Sequence, residues 1–153
     1  MQTFLPYSDF IHTAKVLDDK RLGKQRVEAV QILKVLCCGV SWWKNHPAVR
    51  MWKGYEDALG MYMNIMIIEW EHRGFENNMF YYIARASQII YPPWLGDPRL
   101  HLSHQANLAR KKPEYYGKLW PDADTNAPYW WPVELLNTKE NKKMEEYWNN
   151  AIR

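Results

Sequence analysis

Residues 17–29, LDDKRLGKQRVEA, place carboxylates and cationic side chains at helical spacing immediately before the apolar run VQILKVL. Advancing about 100° per residue from Leu22 puts Ala29, Leu33 and Leu36 on one stripe. Arg26 falls near the middle of that stripe, and Asp18 and Asp19 return to it one turn earlier. Lys20, Arg21, Lys24 and Glu28 lie elsewhere and read as a solvated face. An inward carboxylate or guanidinium costs several kcal/mol unless it is paired and hydrogen-bonded. Two readings of the inward trio Asp18, Asp19 and Arg26 follow. One is a structural ion network in which an aspartate also caps the helix; the other is the charged wall of a catalytic cleft.

A second informative stretch, RLHLSHQANLARKKPEYYGKLW at residues 99–120, has few large aliphatics for a helix, which implies a solvent-facing or site-lining element. His101, His104, Asn107 and Lys111 recur at three- and four-residue steps and share a side, with Arg110 and Lys112 beside them. Two histidines at that spacing suit a metal only with a third ligand, and none is near in sequence, so hydrogen-bonding histidines are expected and no metal. Basic residues around Tyr115 and Tyr116 have the composition of a surface that binds a phosphate backbone and stacks on bases, and equally of an ordinary solvated face.

These residues must be positioned by a small helical scaffold. The chain has 153 residues, enough for one domain with a core of its own. A formal net charge of +3 permits an anionic partner without establishing one. The start, MQTFLPYSDF, lacks the pattern of a signal peptide, and no apolar run reaches membrane-spanning length, so a cytoplasmic protein is expected. Cys37 and Cys38 are adjacent, which suits neither a disulfide framework nor spaced zinc ligands, and they read as free, mostly buried thiols. Nine Trp, ten Tyr and four Phe are a heavy aromatic load, most of it core and some of it on the surface.

Punctuation along the chain predicts an all-α domain of about five helices over residues 1–153, the last part, 120–153, being a loop wrap and a helix. Ser8 or Asp9 caps a short helix, and Gly39 stops the long charged one. Asn45 or His46 caps a second long helix opened by Pro47 and ended at Gly74, with Trp52, Tyr55, Leu59, Tyr62, Met66 and Trp70 on its core stripe. Residues 77–91 read as a third helix. Asp97 and Pro98 start the polar helix, Pro113 opens another turn, and Asn137 with Glu140 begins the last helix.

The motifs FLP (residues 4–6), LDDKRLGKQRVEA, NHPAVRMW (45–52), PPWLG (92–96) and SHQANLARK (103–111) together resemble an uncharacterised bacterial branch of the pyrimidine-dimer DNA glycosylase family, the phage endonuclease V type. The resemblance to the characterised members rests on the first helix with Arg26, on RGF at residues 73–75, on QANL and on YYGK at residues 115–118. It implies an all-α fold and a chain that needs no cofactor. It also implies a nucleophilic N-terminal amine that attacks the sugar C1′ while a first-helix glutamate assists, and a cationic grip on a kinked duplex with a flipped base. An α-amino group generally titrates near 7.7 to 8.0, so part of it is nucleophilic at neutral pH. A gap-free alignment sets Gly23 at the family glutamate, and Asp19, one turn earlier on the same side, offers the nearest carboxylate. Gln2 is bulky and is expected to leave Met1 in place, so the amine is that of Met1. The family's helix arginine and lysine fall on Asn107 and Lys111.

The expected function is therefore that of a DNA glycosylase and abasic-site lyase acting on damaged or modified duplex. Met1 is the expected nucleophile, Asp19 the assisting carboxylate with Asp18 second, and Arg26 orients them. Arg21, Lys24, Arg50, Arg110 and Lys111 are expected to bind phosphate, His46, His101, His104 and Asn107 to line the pocket, and Tyr115 to bind substrate. The alternatives are a non-catalytic module that binds DNA or a nucleotide, and a different reaction on a modified base carried out on the same scaffold.

Overall fold

A computed structural model describes residues 1–39 and 41–152. Among them are seven helices and no strand: α1 (Phe10–Val16), α2 (Asp19–Cys38), α3 (Pro47–Arg50), α4 (Glu56–His72), α5 (Pro98–Lys111), α6 (Pro113–Leu119) and α7 (Thr138–Ala151). The all-α expectation holds. The chain forms two units, one of Met1–Phe4 with Asp9–Pro93, the other of Leu5–Ser8 with Trp94–Arg153.

In the first unit α2 and α4 pack most extensively, and α1 lies on α4 and α3 on α2. Leu22, Ala29 and Ile32 of α2 are fully buried against the core that Leu59, Tyr62, Met66 and Ile67 of α4 build. Asp9 caps α1, accepting the N–H groups of Ile11 and His12, which satisfies donors that a helix start leaves open. Gly39 ends α2 at φ 69°, the left-handed conformation in which glycine carries no Cβ penalty. Arg73, just after α4, holds three elements together. It pairs with Asp19 at 2.9 Å and Glu69 at 3.0 Å and donates to the carbonyls of Ala14 and Lys15.

Three expectations fail here for physical reasons. The second long helix is two helices, because Gly54 turns the chain at φ 87° and α4 restarts at Glu56. Residues 77–91 are not helical. Asn64 takes both backbone groups of Tyr82, accepting its N–H at 2.7 Å and donating to its carbonyl at 2.9 Å. Asp57 accepts the N–H groups of Arg85 and Ala86 and the Tyr82 hydroxyl. Side chains of α4 thus supply the partners that a helix would have drawn from its own backbone. Gly60 lets the Tyr82 ring sit directly on α4, where a Cβ would fall 2.0 Å from it. The third failure concerns Cys37 and Cys38, which are free but exposed, since the last buried residue of α2 is Val35.

In the second unit Asp97 caps α5 ahead of Pro98, Pro113 opens α6, and Asn137 caps α7 through the N–H groups of Lys139 and Glu140. The irregular stretch between α6 and α7 buries Trp120, Ala127 and Trp130. The polar side of α5 is turned inward rather than to solvent. His101 is 9% exposed, and His104 and Asn107 are fully buried.

Candidate functional site

The first four residues run over α2, and α2 is built to hold them. Gln25 is buried, and its Oε1 accepts the N–H of Phe4 at 2.8 Å, which fixes that oxygen as the acceptor end of the amide. The Tyr62 hydroxyl lies 2.7 Å from the Phe4 carbonyl and 2.8 Å from the same Gln25 oxygen. Trp52 donates its indole N–H to the Thr3 hydroxyl at 3.0 Å. Gln25 then presents its Nε2 to Glu28 Oε2 at 3.3 Å, and that carboxylate oxygen also accepts the backbone N–H of Gln2 at 3.1 Å.

Glu28 is the carboxylate that meets the N-terminal segment, one residue from the Met1 amine. The helical stripe left it on the solvated face; the structure covers that part of α2 with residues distant in sequence. Burial and, second, the charge of Glu28 push the Tyr62 phenol well above its ordinary range, so it stays a neutral donor. The His46 imidazole is held below its usual value by burial and then by the positive N-terminal amine. His46 therefore stands within electrostatic reach of Met1, and its Nδ1 caps α3 by accepting the Ala48 N–H at 3.0 Å. Gln2 is 6% exposed, its Oε1 accepts the Thr3 N–H, and its Nε2 is sealed with no hydrogen-bond partner among the described residues.

The inward trio of the sequence does not assemble. Asp18 is buried at the head of α2, pairs with Arg21 at 3.3 Å and makes no side-chain cap. Asp19 points outward, 65% exposed, and pairs with Arg73. Arg26 faces neither aspartate. Its guanidinium lies 4.1 Å from the centre of the Trp70 ring and reaches the Met79 sulfur, and burial lowers its pKa. Trp70 also explains Gly23, because a Cβ there would stand 2.9 Å from the indole. The residue at the aligned glutamate position is a packing slot. Lys24 is exposed and Arg50 half-buried.

The remaining candidates belong to the second unit. His101 and His104 grip one peptide. His104 Nδ1 accepts the Leu5 N–H at 2.8 Å, and His101 Nδ1 lies 2.7 Å from the Leu5 carbonyl. Because His101 Nε2 accepts the Gly96 N–H at 2.9 Å, its proton sits on Nδ1 and is donated to Leu5. Both imidazoles are held neutral by burial, His104 down to about 3. Asn107 donates to the Ser103 and Ala127 carbonyls and accepts from Arg110. Arg110, Lys111 and Tyr115 are exposed, with the Lys112 ammonium 5.4 Å from the Tyr115 ring.

A helical unit that lays its first residues along a helix, with a carboxylate accepting the second residue's N–H, has the parts for chemistry at an N-terminal amine. The family model described as pyrimidine dimer DNA glycosylase matches residues 1–82, which contain α1 to α4, and the chain belongs to that family. Its function at family level is DNA repair of the pyrimidine-dimer glycosylase kind, with DNA as the partner. No curated protein and no solved structure matches the chain. Among the described residues no helix is long and apolar enough to cross a membrane.

Proposed function

We propose that this chain is a DNA glycosylase and abasic-site lyase whose nucleophile is the Met1 amine and whose assisting carboxylate is Glu28. The observation that carries this reading is the 3.1 Å hydrogen bond from the Gln2 N–H to Glu28 Oε2, inside the segment matched to the family. The deprotonated amine forms a bond to C1′ as the bond from C1′ to the base nitrogen breaks, and the base departs with that electron pair and takes up a proton. Ring opening leaves an imine between Met1 and the sugar. Loss of a C2′ proton then expels the 3′ phosphate by β-elimination. Glu28 serves as proton acceptor for the amine and as counter-charge to the cationic imine. His46, kept neutral, adds no second positive charge beside them.

The test is borohydride trapping on duplex carrying an abasic site and on duplex carrying a pyrimidine dimer, with peptide mapping of the adduct. A covalent adduct on the residue 1 amine, abolished by N-terminal acetylation, is the expected result. Binding without an adduct on either duplex overturns the reading and leaves a DNA-binding module.

A further inference from the structure

Between Glu28 and Glu56 the chain carries no acid and four bases, Lys34, Lys44, Arg50 and Lys53. At the centre of this stretch is a hydrogen-bonded turn. Ser41 Oγ accepts the Trp43 N–H at 3.1 Å, the Ser41 carbonyl accepts the Lys44 N–H at 3.4 Å, and the Trp43 carbonyl accepts the His46 N–H at 2.9 Å. The Trp43 ring meets the His46 ring edge-on at 5.8 Å, and His46 is locked to the start of α3 as its cap. On this support Trp42 is 100% exposed, and it makes no hydrogen bond or ring contact with the described residues. Lys44 and Lys53 are exposed and belong to no ion pair among the described residues.

A large indole with both faces in water, on a turn braced by three hydrogen bonds, is placed to lie against a flat partner. The exposed lysines that accompany it favour a partner that carries phosphate as well as planar faces, which is nucleic acid. His46, at the far end of the same turn, caps α3, and Trp52 just beyond α3 donates its indole N–H to the Thr3 hydroxyl at 3.0 Å, so the turn leads into the element that holds the N-terminal segment. We infer that Trp42 stacks on a base face laid open in distorted DNA, beside the nucleotide presented to Met1. This inference rests on the DNA reading above and adds to it a residue that distinguishes damaged from intact duplex. An intact duplex hides its base faces within the stack, whereas a gap or kink exposes one.

The experiment is fluorescence anisotropy with two duplexes of one sequence, one intact and one holding a tetrahydrofuran abasic analogue, which has no aldehyde to trap. Trp42→Ala is expected to weaken binding to the analogue by about 5- to 150-fold, the range of one base stack, and to leave the intact duplex unchanged. Trp42→Phe, which keeps a ring, recovers most of the loss. The double variant Lys44→Ala with Lys53→Ala weakens both duplexes alike and flattens their salt dependence. The inference is overturned when Trp42→Ala binds the analogue as wild type does, or loses affinity for both duplexes equally. Wild-type protein that shows no salt-dependent binding to either duplex overturns the DNA reading itself, a result distinct from the other two.

Discussion

The Trp70 indole lies over Gly23, so close that a Cβ on the glycine would stand 2.9 Å from Cζ3 of the ring. The same ring takes the Arg26 guanidinium at 4.1 Å and stacks on Phe75 at 4.2 Å. Its N–H is donated to the Glu76 carbonyl. Gly23 is therefore the floor of an aromatic slot that docks the end of α4 on α2.

Gly23→Ala sets two effects against each other. Alanine gains about 1 kcal/mol of helix propensity over glycine, and overpacking costs about 1 to 3 kcal/mol. Because Trp70 is held from three sides, the overpacking wins, and a net loss of about 1 kcal/mol is expected from the urea midpoint. Gly23→Glu is expected to cost more and to restore no activity to a Glu28→Gln protein, since its side chain meets the indole.

Several helix ends are legible in the sequence because they rest on local chemistry. Asp9, Gly39, Asp97 with Pro98, Pro113 and Asn137 each stop or start a helix through their own side chain or backbone conformation. What was not legible depends on partners far along the chain. Glu28 reads as solvated from its angle on α2, and only residues 1–4 crossing that face bring it against the N-terminal segment. The span 77–91 is stopped by Pro92 and Pro93 as a helix would be, yet Asn64 and Asp57 take its backbone groups and hold it out of a helix. Gly54 gives no signal of its turn, because the apolar stripe continues on either side of it. His101 and His104 are expected to line a pocket, and their contacts with the Leu5 peptide could not be read from the sequence, because Leu5 lies almost a hundred residues away.

The two candidate carboxylates separate under substitution. Glu28→Gln keeps an acceptor for the Gln2 N–H but removes the charge, and is expected to slow borohydride trapping on the abasic duplex by about 100-fold, the scale of losing one electrostatic group at a reacting centre. Asp19→Asn removes an exposed pair with Arg73, worth about 0 to 1 kcal/mol, and is expected to leave the trapping rate within about threefold of wild type. A reversed order of these two rates would return the assisting role to Asp19.

Acid should loosen the second unit through its histidines. His101 and His104 both have folded pKa values below the ordinary one, so the unfolded chain binds their protons more readily. Their contribution is complete above about pH 6.5. It declines as the pH falls from there toward the folded value, which for His104 is about 3. Thermal unfolding measured from pH 7.5 to 4 should show Tm falling across that window. His104→Gln should lower Tm at pH 7.5 and reduce its fall with acid; a variant whose slope equals that of wild type would remove His104 as the cause.

Gln25 couples the N-terminal segment to the carboxylate, and its two ends can be tested apart. The oxygen holds the Phe4 N–H at 2.8 Å and the nitrogen meets Glu28 at 3.3 Å. Gln25→Leu orphans the Phe4 donor in a buried place, a loss of about 1 to 3 kcal/mol of stability. Gln25→Glu keeps an acceptor for Phe4 but sets a second carboxylate beside Glu28, and like charges disfavour ionisation. The rise of trapping rate with pH should therefore shift upward in Gln25→Glu relative to wild type, while Tyr62→Phe, which removes a hydroxyl from the other side of the same oxygen, leaves the profile in place. A purely structural Gln25 would lower stability in both variants and move neither profile, so the pH dependence, rather than the loss of rate, decides whether the amide positions Glu28.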